Sequence, residues 1–160
     1  MVKLKDICDS VSITYNFSNV KEVVFLNTGD ILEGKILVSS YSDVSFLPGQ
    51  AKKSIQNGDI LYSEIRPQNK RFCLVDVPNS QDYVVSTKLM VLRFKGKDFL
   101  PKFIYQYITQ DNVVDTLQQL AESRSGTFPQ ITFSELGDIE IPNYSLDDQQ
   151  HIVDSRRMMA

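Results

Sequence analysis

Gln56-Asn57-Gly58-Asp59-Ile60-Leu61-Tyr62-Ser63-Glu64-Ile65, then Arg66-Pro67-Gln68-Asn69-Lys70-Arg71, then Phe72-Cys73-Leu74-Val75, is the stretch that decides the fold class. Asn57-Gly58 accepts the positive φ angles that a tight turn requires, so the chain turns there and enters a strand over residues 60–65. Residues 66–71 are polar apart from one proline and mark a loop. Residues 72–75 supply a second strand that returns beside the first, giving a β-hairpin with a projecting, strongly polar connection.

Outward from the hairpin the strand signals continue. Val23-Val24-Phe25-Leu26 is β-branched and aromatic, and Asn27-Thr28-Gly29-Asp30 supplies the turn that ends it. Ile36-Leu37-Val38 predicts another strand, and Tyr83-Val84-Val85 with Leu89-Met90-Val91-Leu92 completes a β-rich body. At the start, Leu4, Ile7 and Val11 recur at helical spacing and predict a short opening helix. After residue 100 the period changes. Pro101 suits a first helical turn, and Phe103, Ile104, Tyr107 and Ile108 form one apolar face. A polar break at residues 109–112 restarts the pattern as Val113, Val114, Leu117, Leu120 and Ala121, so two helices follow each other, ended by Ser125-Gly126. A short strand is expected around Ile139-Glu140-Ile141. Ser145 then reads as the N-cap of a last helix, with Asp147 and Asp148 in its first turn and Arg156-Arg157 at its far end. Strands followed by helices, without strict alternation, predict an α+β fold with a mostly antiparallel, twisted β-rich body and a helical pair.

Bulk properties narrow the class. A chain of 160 residues with 42% apolar residues builds one domain with its own core. Cys8 and Cys73 stand alone in their segments, which predicts buried, reduced thiols in a cytosolic protein. The segment from Met1 to Asp6 has no apolar run of signal-peptide or membrane length, so a cytoplasmic chain is expected. The net charge is −3. A protein that holds DNA alone carries a basic surplus, so any DNA binding by this chain is expected to be weak without a partner.

Three apparent catalytic motifs dissolve on inspection. Gly29-Asp30-Ile31-Leu32-Glu33-Gly34-Lys35 follows a phosphate-binding loop for seven positions, but Ile36 stands where a Ser or Thr must hold magnesium. A turn leading into a strand is the better reading. Asp59, Glu64 and Arg66 faintly resemble a metal-dependent nuclease core, yet two acids five residues apart on one strand do not converge on an ion. Asp59 is expected instead as a solvent-facing acid at the hairpin mouth. His151 is the only histidine, so neither a zinc site nor an acid–base relay has its second member. No Asn-Pro-Pro-aromatic tetrad of the methyltransferase type occurs. The chain is expected to be non-catalytic and to need no cofactor or metal.

Three stretches in order resemble the specificity subunits of type I restriction–modification systems. Gly58-Asp59-Ile60-Leu61 with its Arg66-Pro67 exit is similar to that family's Gly-Asp-Ile-Leu strand. Val84-Val85-Ser86-Thr87 leading to Met90-Val91-Leu92-Arg93 is similar to its Ser-Thr strand pair. Ser125-Gly126-Thr127-Phe128-Pro129-Gln130-Ile131-Thr132, with Leu136, Ile139, Ile141 and Pro142, runs into Leu146-Asp147-Asp148-Gln149-Gln150-His151-Ile152-Val153, which resembles Leu-x-Glu-Gln-x-x-Ile at the head of a long helix. Lys3-Leu4-Lys5-Asp6-Ile7 looks like the family's opening helix. The likeness covers residues 1–153. Asp148 stands where the family usually has Glu, and a full specificity subunit carries two recognition domains separated by two long helices, against one domain here.

The resemblance implies a target-recognition domain at residues 1–144 and the start of a spacer helix at 145–160. It implies that the domain reads one half of a bipartite duplex DNA target, while methyltransferase and restriction subunits and a second recognition domain complete the complex. For DNA contact, Arg66, Gln68, Asn69, Lys70 and Arg71 are the first candidates, because Arg grips guanine and Asn or Gln grips adenine bidentately in the major groove while Lys70 supplies charge for the backbone. Arg124, Ser125, Thr127 and Gln130, beyond the second helix, form a second candidate loop. Leu146, Gln149, Gln150, Ile152 and Val153 on the last helix are the implied partner contacts. A protein-interaction module without DNA binding, such as an anti-restriction mimic or an orphan scaffold, is the alternative that the acidic balance favours.

Overall fold

The hairpin forms where the sequence places it. Ile60–Ser63 pairs antiparallel with Phe72–Leu74, with Leu61 opposite Cys73, and Gly58 at φ +93° turns the chain into it. This is a computed structural model that describes residues 1–123 and 129–159, the side chains of residues 157–159 excepted. Its strands begin with β1 (Val2–Lys3), β2 (Cys8–Val11), β3 (Glu22–Leu26), β4 (Ile31–Leu32), β5 (Lys35–Ile36) and β6 (Ser42–Asp43). They continue with β7 (Ala51–Ser54), β8 (Ile60–Ser63), β9 (Phe72–Leu74), β10 (Tyr83–Ser86), β11 (Leu89–Phe94) and β12 (Glu140–Ile141). The helices are α1 (Leu4–Ile7), α2 (Pro101–Ile108), α3 (Asp111–Glu122), α4 (Phe133–Leu136) and α5 (Leu146–Met159).

Two four-stranded sheets make the body, in the orders β2-β11-β8-β9 and β6-β3-β10-β7. The first is wholly antiparallel; in the second, β10 runs parallel to β3 and antiparallel to β7. Alternation of side chains along each strand assigns the layers. Ile60, Tyr62, Phe72, Met90 and Leu92 face the helices, where Phe103, Ile104, Ile108 and Leu117 cover them. Leu61, Cys73, Leu89 and Val91 face the other way and meet Val24, Leu26, Tyr83 and Val85 of the second sheet. Val23, Val84 and Ala51 look outward again, beneath Phe17, Val44 and Leu47. Strands buried on both faces carry unbroken apolar runs, which is why these segments lack a polar alternation. The fold is α+β, as expected.

Several boundaries differ from the sequence reading. The opening helix is a single turn, because Val11 lies on β2 opposite Val91 and not on a helix face. Of the expected strand Ile36-Leu37-Val38 only Ile36 pairs, together with Lys35 before it, in the small hairpin with β4; Leu37 is exposed. β8 stops at Ser63, and Ile65 makes an isolated bridge to Gln130. β10 and β11 are consecutive in the chain yet belong to different sheets. α3 is helical to Glu122, and the expected stop at Ser125-Gly126 lies outside the described residues. The sequence reading also missed α4, although Thr132 and Glu135 carry its capping-box signature and do cap it. β1 and β12 pair, with Val2 opposite Ile141, and so hold the first residues against the segment before α5.

Candidate nucleic-acid interface

The loop over residues 66–71 is built by its backbone. Arg66 (φ 44°) and Lys70 (φ 57°) are both left-handed and bracket one 3-10 turn, Pro67–Asn69. Lys70 N donates to Pro67 O at 3.0 Å, and Asn69 N donates to Arg66 O at 2.8 Å. Glu33, a third non-glycine residue at positive φ, donates its N–H to Lys70 O at 2.9 Å. Such conformations cost L-residues about 1–2 kcal/mol each, and they persist only where the surroundings fix them.

Here the surroundings are helix α3. The expected projecting turn is docked on it, with Pro67 buried. Gln68 N donates to the side-chain oxygen of Gln118 at 3.1 Å, and Gln68 Nε2 reaches Asp115 at 3.4 Å. Gln118 is buried and donates onward to Glu122 at 3.0 Å. Lys70 Nζ lies 3.4 Å from Asp111 and 3.9 Å from Glu33. Arg71 donates to Ile31 O at 3.2 Å. The three groups therefore have internal partners, and the flank they face is acidic. Arg66 and Asn69 differ: both are exposed, and among the described residues neither side chain has a hydrogen-bond or ion-pair partner.

The second candidate loop meets the first. Arg66 N donates to Pro129 O at 3.0 Å, Ile131 N donates to Glu64 O at 2.8 Å, and Gln130 stands opposite Ile65. Residues 129–131 thus lie alongside residues 64–66 as a short strand would. Arg124, Ser125 and Thr127 lie outside the described residues.

At the other end of β8 the polar groups are internal. Asp59 is only 1% exposed and binds the Arg93 guanidinium bidentately, at 3.0 and 2.9 Å, while also accepting from Gln56 N at 2.9 Å. The side-chain bonds from Asp59 raise the Arg93 pKa. Asp59 is therefore neither a metal ligand nor the solvent-facing acid expected. No three His, Cys, Asp or Glu side chains among the described residues are placed to share a metal. Cys8 and Cys73 are buried as expected, and burial pushes each thiol up to about 12.

The last helix begins as the sequence predicts, with Ser145 Oγ accepting from Asp148 N at 3.1 Å. Its expected partner contacts divide. Gln149 has no exposed surface: its oxygen accepts from Leu100 N at 2.8 Å, and its amide donates to Asp98 O at 2.9 Å and Tyr144 O at 3.0 Å. Val153 is buried in the main core. These two face the domain and are unavailable to another chain, because α5 lies along α2 and its apolar stripe is consumed there. Leu146 and Gln150 are exposed and Ile152 half-buried. Gln150 borders an apolar cleft of about 280 Å³ between Gly58, Leu74, Leu100 and Val153. His151 is exposed. No described helix is long and apolar enough to cross a membrane.

This two-sheet body with its helical cover has known counterparts. It superposes on the HsdS subunit from Thermoanaerobacter tengcongensis with a TM-score of 0.83 at 24% identity, over 99% of this chain and 41% of that one. A chain from a type I R-M system, studied for its complex assembly and conformational transition, gives 0.80 at 23% identity over the same shares. At those identities the likeness concerns the fold. Residues 1–155 match the family described as the type I restriction modification DNA specificity domain, and the chain belongs to that family. It is 44% identical over 151 residues to the type I restriction enzyme HindI specificity subunit of Haemophilus influenzae. That alignment takes in 94% of this chain and 33% of the subunit, so the chain spans about a third of its relative's length.

Proposed function

We propose that this chain is a non-catalytic, cytoplasmic DNA-reading domain. It reads one half of a bipartite duplex target for a type I restriction–modification complex whose methyltransferase and restriction subunits act on the DNA. A second recognition domain, in the same chain or another, reads the other half. The observation that supports the proposal, beside family membership, is the single end of the domain where Gln130 lies alongside the Arg66 segment and where Arg66 and Asn69 have no side-chain partner among the described residues. An available guanidinium and an available carboxamide on a fixed backbone are what bidentate contact with guanine and adenine edges requires. Gln68, Lys70 and Arg71 contribute after exchanging their internal partners for DNA. Leu146, Gln150 and Ile152 are the residues through which α5 meets a partner chain.

The test is to graft residues 1–160 in place of one recognition domain of an active specificity subunit and to map the methylated sites. A new half-site, lost when residues 66–71 are replaced, is the expected result. A graft that assembles with the methyltransferase yet leaves no new methylated half-site overturns the proposal.

A further inference from the structure

The Val84-Val85-Ser86-Thr87 motif has no role in the surface described so far, and the structure places it at that surface. Thr87 N donates to Gln50 O at 3.0 Å, and Glu64 N donates to Lys88 O at 3.1 Å. Residues 50, 87–88, 64–66 and 129–131 are therefore four neighbouring backbone segments at one end of both sheets. At the usual interstrand spacing of about 4.8 Å they span roughly 14 Å, the length of about four base-pair steps at 3.4 Å each. Gln50 and Lys88 are exposed on this row, and among the described residues neither side chain has a partner.

The turn that carries Lys88 is fixed. Register shifts between Val85 and Ser86, an irregularity that re-aims the chain at the end of β10. Ser86, fully buried, accepts from Lys88 N at 3.1 Å through its hydroxyl. Lys88 O and Thr87 N are each held by a different strand end. The charge pattern separates this flank from the other. On the α3 side, Asp111, Asp115 and Glu33 surround Lys70 and Gln68. On the Lys88 side, Glu64 is half-buried, and Lys53 is turned inward, its Nζ donating to Leu89 O at 2.9 Å. The first flank surrounds its lysine with carboxylates, whereas the Lys88 ammonium has no carboxylate partner among the described residues.

We infer that Gln50 and Lys88 form a second half of the DNA-reading surface, Gln50 contacting a base edge and Lys88 the adjoining phosphate, with Arg66 at the centre. This rests on the DNA-reading role proposed above. Both residues lie outside the two loops that the sequence singles out. A fixed turn lowers the entropy lost on binding, which is the advantage of placing a lysine there.

The experiment uses the chimaeric subunit assembled with its methyltransferase, first confirmed to methylate a new half-site; failure at that step overturns the parent proposal and this one with it. In that background, Gln50→Ala is expected to relax recognition at one base by about tenfold to a hundredfold. Lys88→Ala is expected to weaken binding evenly across sequences and to flatten the log–log salt dependence by about one unit. Lys102→Ala, on an exposed position of α2 away from the row, should change neither. A methylation pattern and salt slope unchanged by Gln50→Ala and Lys88→Glu, while Arg66→Ala alters both, overturns the inference. So does a Lys88→Glu chain that keeps its DNA affinity but no longer co-purifies with the methyltransferase, which would make the turn a protein contact.

Discussion

At the start of β8, Asp59 gives both carboxylate oxygens to Arg93 and a backbone amide, and at the neighbouring root of α5 every polar group of Gln149 is engaged by main chain. A few residues on, past Ser63, Arg66 and Asn69 extend into solvent from left-handed or 3-10 backbone with no internal partner among the described residues. One strand thus joins an end whose polar groups are all engaged within the domain to an end where Gln68, Lys70 and Arg71 are engaged and Arg66 and Asn69 are not, among the described residues. The difference teaches how to sort charged residues: by where their hydrogen bonds end, not by their identity.

That contrast is breakable at its strongest point. Asp59→Ala leaves the Arg93 guanidinium and the Gln56 amide without their acceptor. Because the Arg93 side chain is 23% exposed, the expected loss is about 3 kcal/mol, at the low end for a buried pair. Urea unfolding measures it, and a loss below about 1 kcal/mol would show that this end is not held by the pair. Gln149→Ala is next. It leaves Leu100 N and two carbonyls without their partner in a part-buried site, for an expected loss of about 1 kcal/mol with faster amide exchange at Leu100 and along α5. Unchanged exchange there would mean that α5 is held by its apolar contacts alone.

At the opposite end the expected stability effect is smaller and of the other sign. Arg66→Gly places at φ 44° the residue that tolerates it, so thermal unfolding should show no loss and up to about 1 kcal/mol of gain, while base discrimination by the assembled chimaera falls. A marked loss of stability would make Arg66 a structural residue and erase the contrast. Smallest of all, neither Cys8 nor Cys73 should react with a thiol reagent at pH 8 in the folded chain. With each thiol pushed up to about 12, roughly one in ten thousand is ionised there, and both should react once the chain unfolds. Rapid labelling of either in the native protein would show that the strands shared by both ends open readily.

The hairpin was legible because Asn57-Gly58 and two short apolar runs act locally, and α2 and α5 were legible from Pro101 and Ser145 for the same reason. What the sequence left open depends on residues far apart in the chain. Tyr83-Val84-Val85 and Leu89-Met90-Val91 read as equivalent strands, since burial on both faces removes the alternation that would tell one sheet from another. The loop over residues 66–71 read as projecting because its acceptors, Asp111, Asp115 and Gln118, lie on a helix more than forty residues later. Gln149 and Gln150 read alike as polar helix positions. One is wholly buried and the other exposed, and the main chain of Asp98, Leu100 and Tyr144 distinguishes them. Within the candidate site, the residue types were legible and their availability was not.

The Gln149 contact has a mechanical consequence. A side chain that satisfies the N-cap amide of α2 from inside α5 joins the two helices at their roots, and Arg156 adds a second tie to Gln106 O at 3.2 Å farther along. α5 has 14 residues, an arm of about 21 Å at 1.5 Å per residue. A swing of roughly 10° about its root would carry the far end some 3.5 Å, the rise of one base pair along a DNA strand. The Gln149 carboxamide is therefore the pivot and the Arg156 tie the stop, and the two together set the direction of α5 relative to α2.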